Sequence, residues 1–412
     1  MQTKTNVQSE LAASLLCIYY PQQLLPALAA VLSFRRHHGM LQTAPLHVLV
    51  WSPETTSYST YKKRLEIFHI LLGGFPWATL SFPDPNEVRV HLSHNAKVLD
   101  KASYLRHKFS EAKIDAIYYA HDISADFIAQ SAMQAFLAAK RICFGDALGV
   151  VYSNDYFTEL TYPLGNIIHA ISQPATTVRN LLFRLKRNWT LPRKDCRLDA
   201  CYVVPILPCD PGGDFLAGKN LVLVDDASLF LALRTLSQAA ERHLDNKNKA
   251  ITTLNQPPIF VMLLGSYSES RLTSEDQEIR LYIEIADQYV PAGGRIFLKA
   301  HPVSQQDKIT RITKALSSNF EIIEISADEW PIELMPSLIK GNQVLSLSYS
   351  SVSLSYLYGF QVTHVLNRKL INKFFPKKNQ SWVLESNELY LQQLDFASTR
   401  CPQFRKVMEM EP

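Results

Sequence analysis

Short apolar runs alternate along the chain with longer stretches whose apolar residues recur at helical spacing, and this alternation predicts parallel α/β architecture. Residues 15–20 read as a first strand, followed by a helix through Leu32. Residues 47–51 and 116–119 read as further strands, the latter after a charged helix over 101–113. A helix over 125–140 then delivers a strand over 141–144, which ends in the tight loop Gly145-Asp146-Ala147-Leu148-Gly149. The rhythm breaks between 176 and 218, where Pro192, Pro205, Pro208, Pro211 and Gly212-Gly213 mark an interdomain region. It resumes with strands over 258–264, 295–299, 321–325 and 343–347, a helix over 274–289, and a second helix running through Tyr358.

These parts assemble most simply as two Rossmann-like domains facing an interdomain cleft. The expected division is 1–215, 216–395 and a tail over 396–412. A chain of 412 residues exceeds what one hydrophobic core usually organises, which agrees with two domains. With 47% hydrophobic and 19% charged residues, it has the composition of an ordinary globular protein.

A formal charge of +4 is small for this length and gives no overall field that argues for nucleic acid. The six cysteines, Cys17, Cys143, Cys196, Cys201, Cys209 and Cys401, are too scattered for a disulfide scaffold. The cluster at 196, 201 and 209 also lacks the paired short spacing of a structural zinc site. The polar start and the prolines at 21 and 26 exclude a secretory leader or a membrane span there, so a cytoplasmic protein is expected.

Chemistry is concentrated where strands end. The apolar strand Ile296-Phe297-Leu298 stops at Lys299-Ala300-His301-Pro302. Proline fixes its own φ and biases His301 toward an extended backbone, which puts an imidazole at the strand's rim. There it could bond a phosphate or give a proton to a leaving group, or serve as a structural histidine. After the strand over 343–347 come Ser348, Ser350 and Ser351, directly before an apolar helix. A helix N-terminus with hydroxyls suits a phosphate, and plain capping by Ser350 or Ser351 is compatible with that role. Glu333, in Trp330-Pro331-Ile332-Glu333-Leu334, could accept hydrogen bonds from a ribose diol or remain a surface carboxylate. Asp146 is a candidate base for an acceptor hydroxyl, or a turn aspartate bonded to backbone amides.

The order and flanks of these segments resemble bacterial sialyltransferases and polysialyltransferases of the GT-B type. Those families carry an acidic motif in the first domain, then His-Pro and a Ser-Ser or Ser-Thr pair in the second. The matching positions are Asp146 with its glycines, His301-Pro302 and Ser350-Ser351. Leu264-Gly265-Ser266-Tyr267-Ser268-Glu269, with the acidic helix after it, and Pro331-Ile332-Glu333-Leu334 are similar to the second domain of polysialyltransferase-like proteins. The similarity is best over 261–359. The acidic motif departs from the family form, since it is reduced to Gly145-Asp146 with Ala147 in place of the glycine.

What the resemblance implies is an inverting, metal-independent transfer of sialic acid or a related nonulosonic acid from a CMP-sugar to a glycan or lipid-linked glycan. No cofactor is implied. Asp146 would be the base and His301 the group that binds or protonates the departing phosphate. Lys299, Ser350 and Ser351 would hold that phosphate, Glu333 the ribose, and Gly265, Ser266 and Pro302 would complete the donor pocket. CMP-Kdo, a UDP- or GDP-sugar, or binding of a nucleotide sugar without catalysis are the alternatives. Asp225-Asp226 is the close acidic pair near the domain junction and reads as a strand-end turn rather than a metal site. The basic segment over 179–194, with Trp189 and no acidic residue, could lie peripherally on an anionic inner membrane, attract an anionic acceptor, or form a solvated face.

Overall fold

A computed structural model of the chain describes residues 12–51, 58–82, 84–92, 97–120, 127–145, 148, 178, 200–204, 221–252, 260–324, 330–348 and 350–410. The loop residue Asp146 and the basic segment 179–194 lie outside the described residues. The chain divides into two compact units, 1–205 with 210–236, and 206–209 with 237–412. The division therefore falls later than residue 215, because strand 221–223 and the start of the helix Asp226–Thr252 pack with the first unit. The expected break at 395 has no counterpart either, since one helix runs over Lys377–Met410.

The first unit is built on a seven-stranded sheet. Its strands are β1 (Ala13–Ile18), β2 (Leu46–Val50), β3 (Ala78–Leu80), β4 (Ile114–Tyr119), β5 (Lys140–Cys143), β6 (Ala200–Val203) and β7 (Leu221–Leu223), in the order β3-β2-β1-β4-β5-β6-β7. All pairings are parallel. Every residue of β1 is buried, as expected where helices cover both faces of a parallel sheet. Cys17, Cys143 and Cys201 sit in this core, and Cys401 is buried in the second unit. Asp225 caps the helix that follows β7, accepting from the Ser228 amide and hydroxyl, both at 2.8 Å, and pairing with Arg36 at 3.0 Å. It is the strand-end turn that the sequence suggests.

The second unit carries a five-stranded parallel sheet of β8 (Phe260–Leu263), β9 (Arg295–Lys299), β10 (Glu321–Glu324), β11 (Gln343–Ser346) and β12 (Val362–His364), in the order β10-β9-β8-β11-β12. Alternate residues of the central strands, Phe260, Met262, Ile296, Leu298 and Leu345, share a core with the helices Glu275–Tyr289, Gln306–Leu316 and Arg368–Phe374. The helix Ser350–Tyr358 packs instead against the helix Lys377–Met410. Ser274 starts the Glu275–Tyr289 helix, its hydroxyl accepting from the Gln277 amide, and acidic residues fill the first turn where the helix dipole favours them. Both units are parallel α/β, the class that the hydrophobic pattern predicts. Among the described residues no helix is long and apolar enough to cross a membrane.

Candidate active site

Strand order in the second sheet decides where a ligand can sit. The chain runs outward from β8 to β9 and β10, then returns past β8 to lay down β11 and β12. Right-handed crossovers made in opposite directions put their helices on opposite faces, so the loops after β8 and β11 part and leave a crevice at the carboxyl rim. Register fixes what faces it. Lys299 of β9 and Ser346 of β11 both stand opposite Leu263 of β8. The ladder continues one step, with the Leu264 amide donating to Lys299 O at 3.0 Å and the Leu347 amide to Leu263 O at 3.1 Å. Gly265, His301 and Ser348 each follow those partners by two residues, so three loops leave the rim at one level.

The loop after β8 is held from below by a buried charged cluster. Glu278, wholly buried on the Glu275–Tyr289 helix, accepts from the Tyr267 amide at 3.2 Å, the Ser268 amide at 2.7 Å and the Tyr282 hydroxyl at 2.5 Å. Lys308, also buried, bridges Glu278 at 2.7 Å and Glu269 at 2.8 Å and donates to the Ser268 hydroxyl at 3.0 Å. Burial works against ionisation of Glu269, yet hydrogen bonds from Lys308 and from its own backbone, with the Lys308 charge, hold it below the usual carboxylate range. Tyr267 spans the crevice floor, its hydroxyl donating to Leu347 O at 2.9 Å. Its ring explains Gly265, because a Cβ there would stand 2.9 Å from the ring. The Ser266 hydroxyl, half-buried beside it, has no partner among the described residues.

On the β9 side, Lys299 is buried at the strand's end and its ammonium donates to Ala300 O at 3.3 Å. His301 and Pro302 are half-buried in the turn beyond. The His301 carbonyl accepts from the Ser304 amide at 2.9 Å, while Nδ1 lies 3.4 Å from the Val303 amide.

Glu333 lies in a single 3-10 turn, Ile332–Leu334, entered through Pro331. Burial raises the pKa of its carboxyl above the ordinary value, against the lowering influence of its own backbone, the Ser353 and Ser350 hydroxyls and the charge of Lys299. Its carbonyl accepts from the Tyr358 hydroxyl at 2.6 Å. Lys299, Glu333 and Ser350 thus form one cluster drawn from three segments. Ser351 points elsewhere: it is buried, and its hydroxyl and amide both bond Ser348 O, at 3.0 and 3.2 Å, closing the first turn of its helix.

Sequence reasoning missed Ser353, Tyr358 and the Glu278–Lys308 cluster. The first had a legible signal, since Ser350 and Ser353 are three apart and share a helix face. The Glu278–Lys308 pair joins two helices and had none. A partly closed rim with a buried cation, hydroxyls at a helix N-terminus and a carboxylate beside them can take a phosphate and a diol together.

Among solved structures, the chain is similar to a UDP-GlcNAc 2-epimerase from Neisseria meningitidis bound to UDP-GlcNAc, at 13% identity, 94% coverage of each chain and a TM-score of 0.48. A UDP-GlcNAc 2-epimerase from Methanocaldococcus jannaschii aligns at 10% identity over 90% of this chain and 99% of that one, with a TM-score of 0.45. The GT-B domain of a sialyltransferase from Photobacterium damselae aligns at 11% identity over 93% and 98%, with a TM-score of 0.36. All three scores lie below 0.5, too low to carry any equivalence of residues. No curated protein sequence matches significantly. The family model of alpha-2,8-polysialyltransferases, in contrast, matches residues 80–366, covering β4 to β7 of the first sheet, the whole of the second sheet and every segment of the rim just described; the chain belongs to that family and is a glycosyltransferase.

Proposed function

We propose that this protein transfers sialic acid or a related nonulosonic acid from a CMP-activated donor to a glycan or lipid-linked glycan, with inversion and without a metal ion. The observation that carries this reading is the cluster of Lys299, Glu333 and Ser350 at the β8–β11 crevice. A CMP-sugar presents one phosphate next to one ribose, and this cluster pairs a cation and a helix N-terminus with a carboxylate suited to a diol.

In the reaction, an acceptor hydroxyl forms the new bond to the anomeric carbon while the bond from that carbon to the CMP phosphate oxygen breaks. Asp146 takes the hydroxyl proton. His301 donates to the departing phosphate, and Lys299 with Ser350 at the helix N-terminus stabilises its charge, which is the task a divalent cation performs in other transferases. Gly265, Ser266 and Pro302 complete the donor pocket. On this reading the second unit holds the donor and the first unit the acceptor. The protein would work on the cytoplasmic side of the inner membrane, and the basic segment 179–194 would meet an anionic surface or acceptor.

Product analysis with a donor panel tests the proposal. Transfer from CMP-activated sialic acid or CMP-Kdo is measured beside UDP- and GDP-sugars. The proposal expects turnover with a CMP-activated nonulosonate, and turnover confined to UDP- or GDP-sugars would contradict it.

A further inference from the structure

The charged cluster beneath the β8 loop carries one carboxylate more than charge balance needs. Glu278 is satisfied without Glu269: it accepts from the Tyr267 and Ser268 amides and the Tyr282 hydroxyl, and it pairs with Lys308 at 2.7 Å. Among the described residues Lys308 is also the cation that Glu269 pairs with, at 2.8 Å. Two carboxylates, 0% and 18% exposed, thus share one ammonium that is 2% exposed. A buried pair already loses its hydration, and a second carboxylate adds a charge that no further cation offsets. What Glu269 does is join two loops. Lys308 stands in the first turn of the Gln306–Leu316 helix, which starts directly after the turn that the Ser304 amide closes on His301 O. Glu269 belongs to the β8 loop, and the Ser268 hydroxyl beside it takes a second bond from Lys308 at 3.0 Å. Within that loop the Ser270 amide donates to Ser266 O at 3.0 Å and the Arg271 amide to Ser268 O at 2.9 Å, with Arg271 in the left-handed region at φ 58°. The loop is a closed turn, so the Lys308–Glu269 pair fixes Gly265–Ser266 relative to the His301 turn.

We infer that Glu269 is a positioning residue for the transfer step: through Lys308 it sets the Gly265–Ser266 wall of the donor pocket against the His301 turn, so that a sugar phosphate seated on one meets the imidazole of the other. The inference rests on the donor reading above, in which His301 donates to the departing phosphate. Glu269 touches no reacting atom, so its effect must run through His301. CMP affinity, which that reading assigns to Lys299, Glu333 and Ser350, stays largely independent of it.

A double-mutant cycle tests that route. Tm, CMP affinity, and kcat and KM for CMP-activated sialic acid are measured in wild type, Glu269→Ala, Glu269→Gln, His301→Ala and the Glu269→Ala/His301→Ala double variant. Glu269→Ala leaves the Lys308–Glu278 pair one-to-one, so its Tm is expected within about 3 °C of wild type. Its kcat is expected to fall about 10- to 100-fold, the scale of a misplacement of roughly 1 Å, while CMP affinity changes by less than about threefold. Glu269→Gln, which keeps an oxygen for Lys308 without the charge, is expected to recover part of the kcat. In the His301→Ala background, read by single turnover, removal of Glu269 is expected to change the rate by less than about twofold. With an active wild type, an unchanged kcat in Glu269→Ala overturns this inference alone. Equal losses in both His301 backgrounds, or a CMP affinity that falls as far as kcat, do the same. If Glu269→Ala does not fold, Glu269→Gln replaces it in the cycle, where a kcat equal to wild type overturns the inference. A wild type that neither binds CMP nor transfers from the CMP-sugar overturns the donor reading and this inference with it.

Discussion

Replacing Lys308 by methionine removes the one cation that bridges Glu278 and Glu269 beneath the β8 loop. Lys308 is 2% exposed and Glu278 is 0% exposed, so neither water nor salt screens what is left behind. Breaking a buried pair by deleting one partner typically costs about 3–5 kcal/mol, because the remaining charge has no compensation. For a unit of this size that corresponds to a fall in Tm of roughly 6–20 °C. The consequence reaches the site, because Glu278 also receives the Tyr267 and Ser268 amides that shape the loop. Thermal unfolding followed by near-ultraviolet circular dichroism measures the loss. A Lys308→Met/Glu278→Met double variant, which takes away both charges, should recover a large part of it. A Lys308→Met protein within about 1 kcal/mol of wild type, or a double variant worse than the sum of the singles, would refute the picture of a buried pair supporting the rim.

Four further outcomes follow from the site. Asp146→Ala should keep CMP affinity while transfer falls by about 100-fold or more, the loss expected on removing a general base; an unchanged rate would take that role from Asp146. Glu333→Gln tests the raised pKa, which burial causes. A carboxyl raised on folding contributes stability that is complete below its unfolded pKa and declines as pH rises through the folded value, so the variant should match wild type in acid and exceed it at pH 8. Its donor affinity should nevertheless drop, and a variant less stable than wild type at pH 8 contradicts the sign. Gly265→Ala should push the Tyr267 ring away, weaken the Leu347 contact and raise donor KM, read by steady-state kinetics. Activity should survive exhaustive EDTA treatment, and a loss restored by added Mg²⁺ would return a metal to the mechanism.

The parts of the fold most legible in the sequence were those buried on both faces. β9 is predicted to the residue, and β1, β2, β4, β8 and β11 to within about two, because a strand covered on both sides reads as an unbroken apolar run. β3, β7 and β12 are three residues each at or near a sheet edge, too short to register against their surroundings. The helices Tyr58–Leu72 and Gln306–Leu316 were missed beside conspicuous motifs, and the division at 236 was invisible because it falls within a helix. At the site, Lys299, His301 and Ser350 could be named from residue type at strand ends and Glu333 from its place beside a proline turn, and strand order gathers the loops after β8, β9 and β11 on one rim. Which hydroxyl faces which group is a tertiary fact. Ser351 and Ser350 are neighbours with identical side chains, yet one closes its own turn and the other meets Glu333.

A crystal structure with CMP bound tests the central claim most directly. The nucleotide is expected between the β8 and β11 loops, its phosphate within hydrogen-bond reach of Ser350 and the Lys299 ammonium and its ribose hydroxyls on Glu333. Density for CMP anywhere else, or a phosphate turned away from the Ser350–Tyr358 helix, would contradict it.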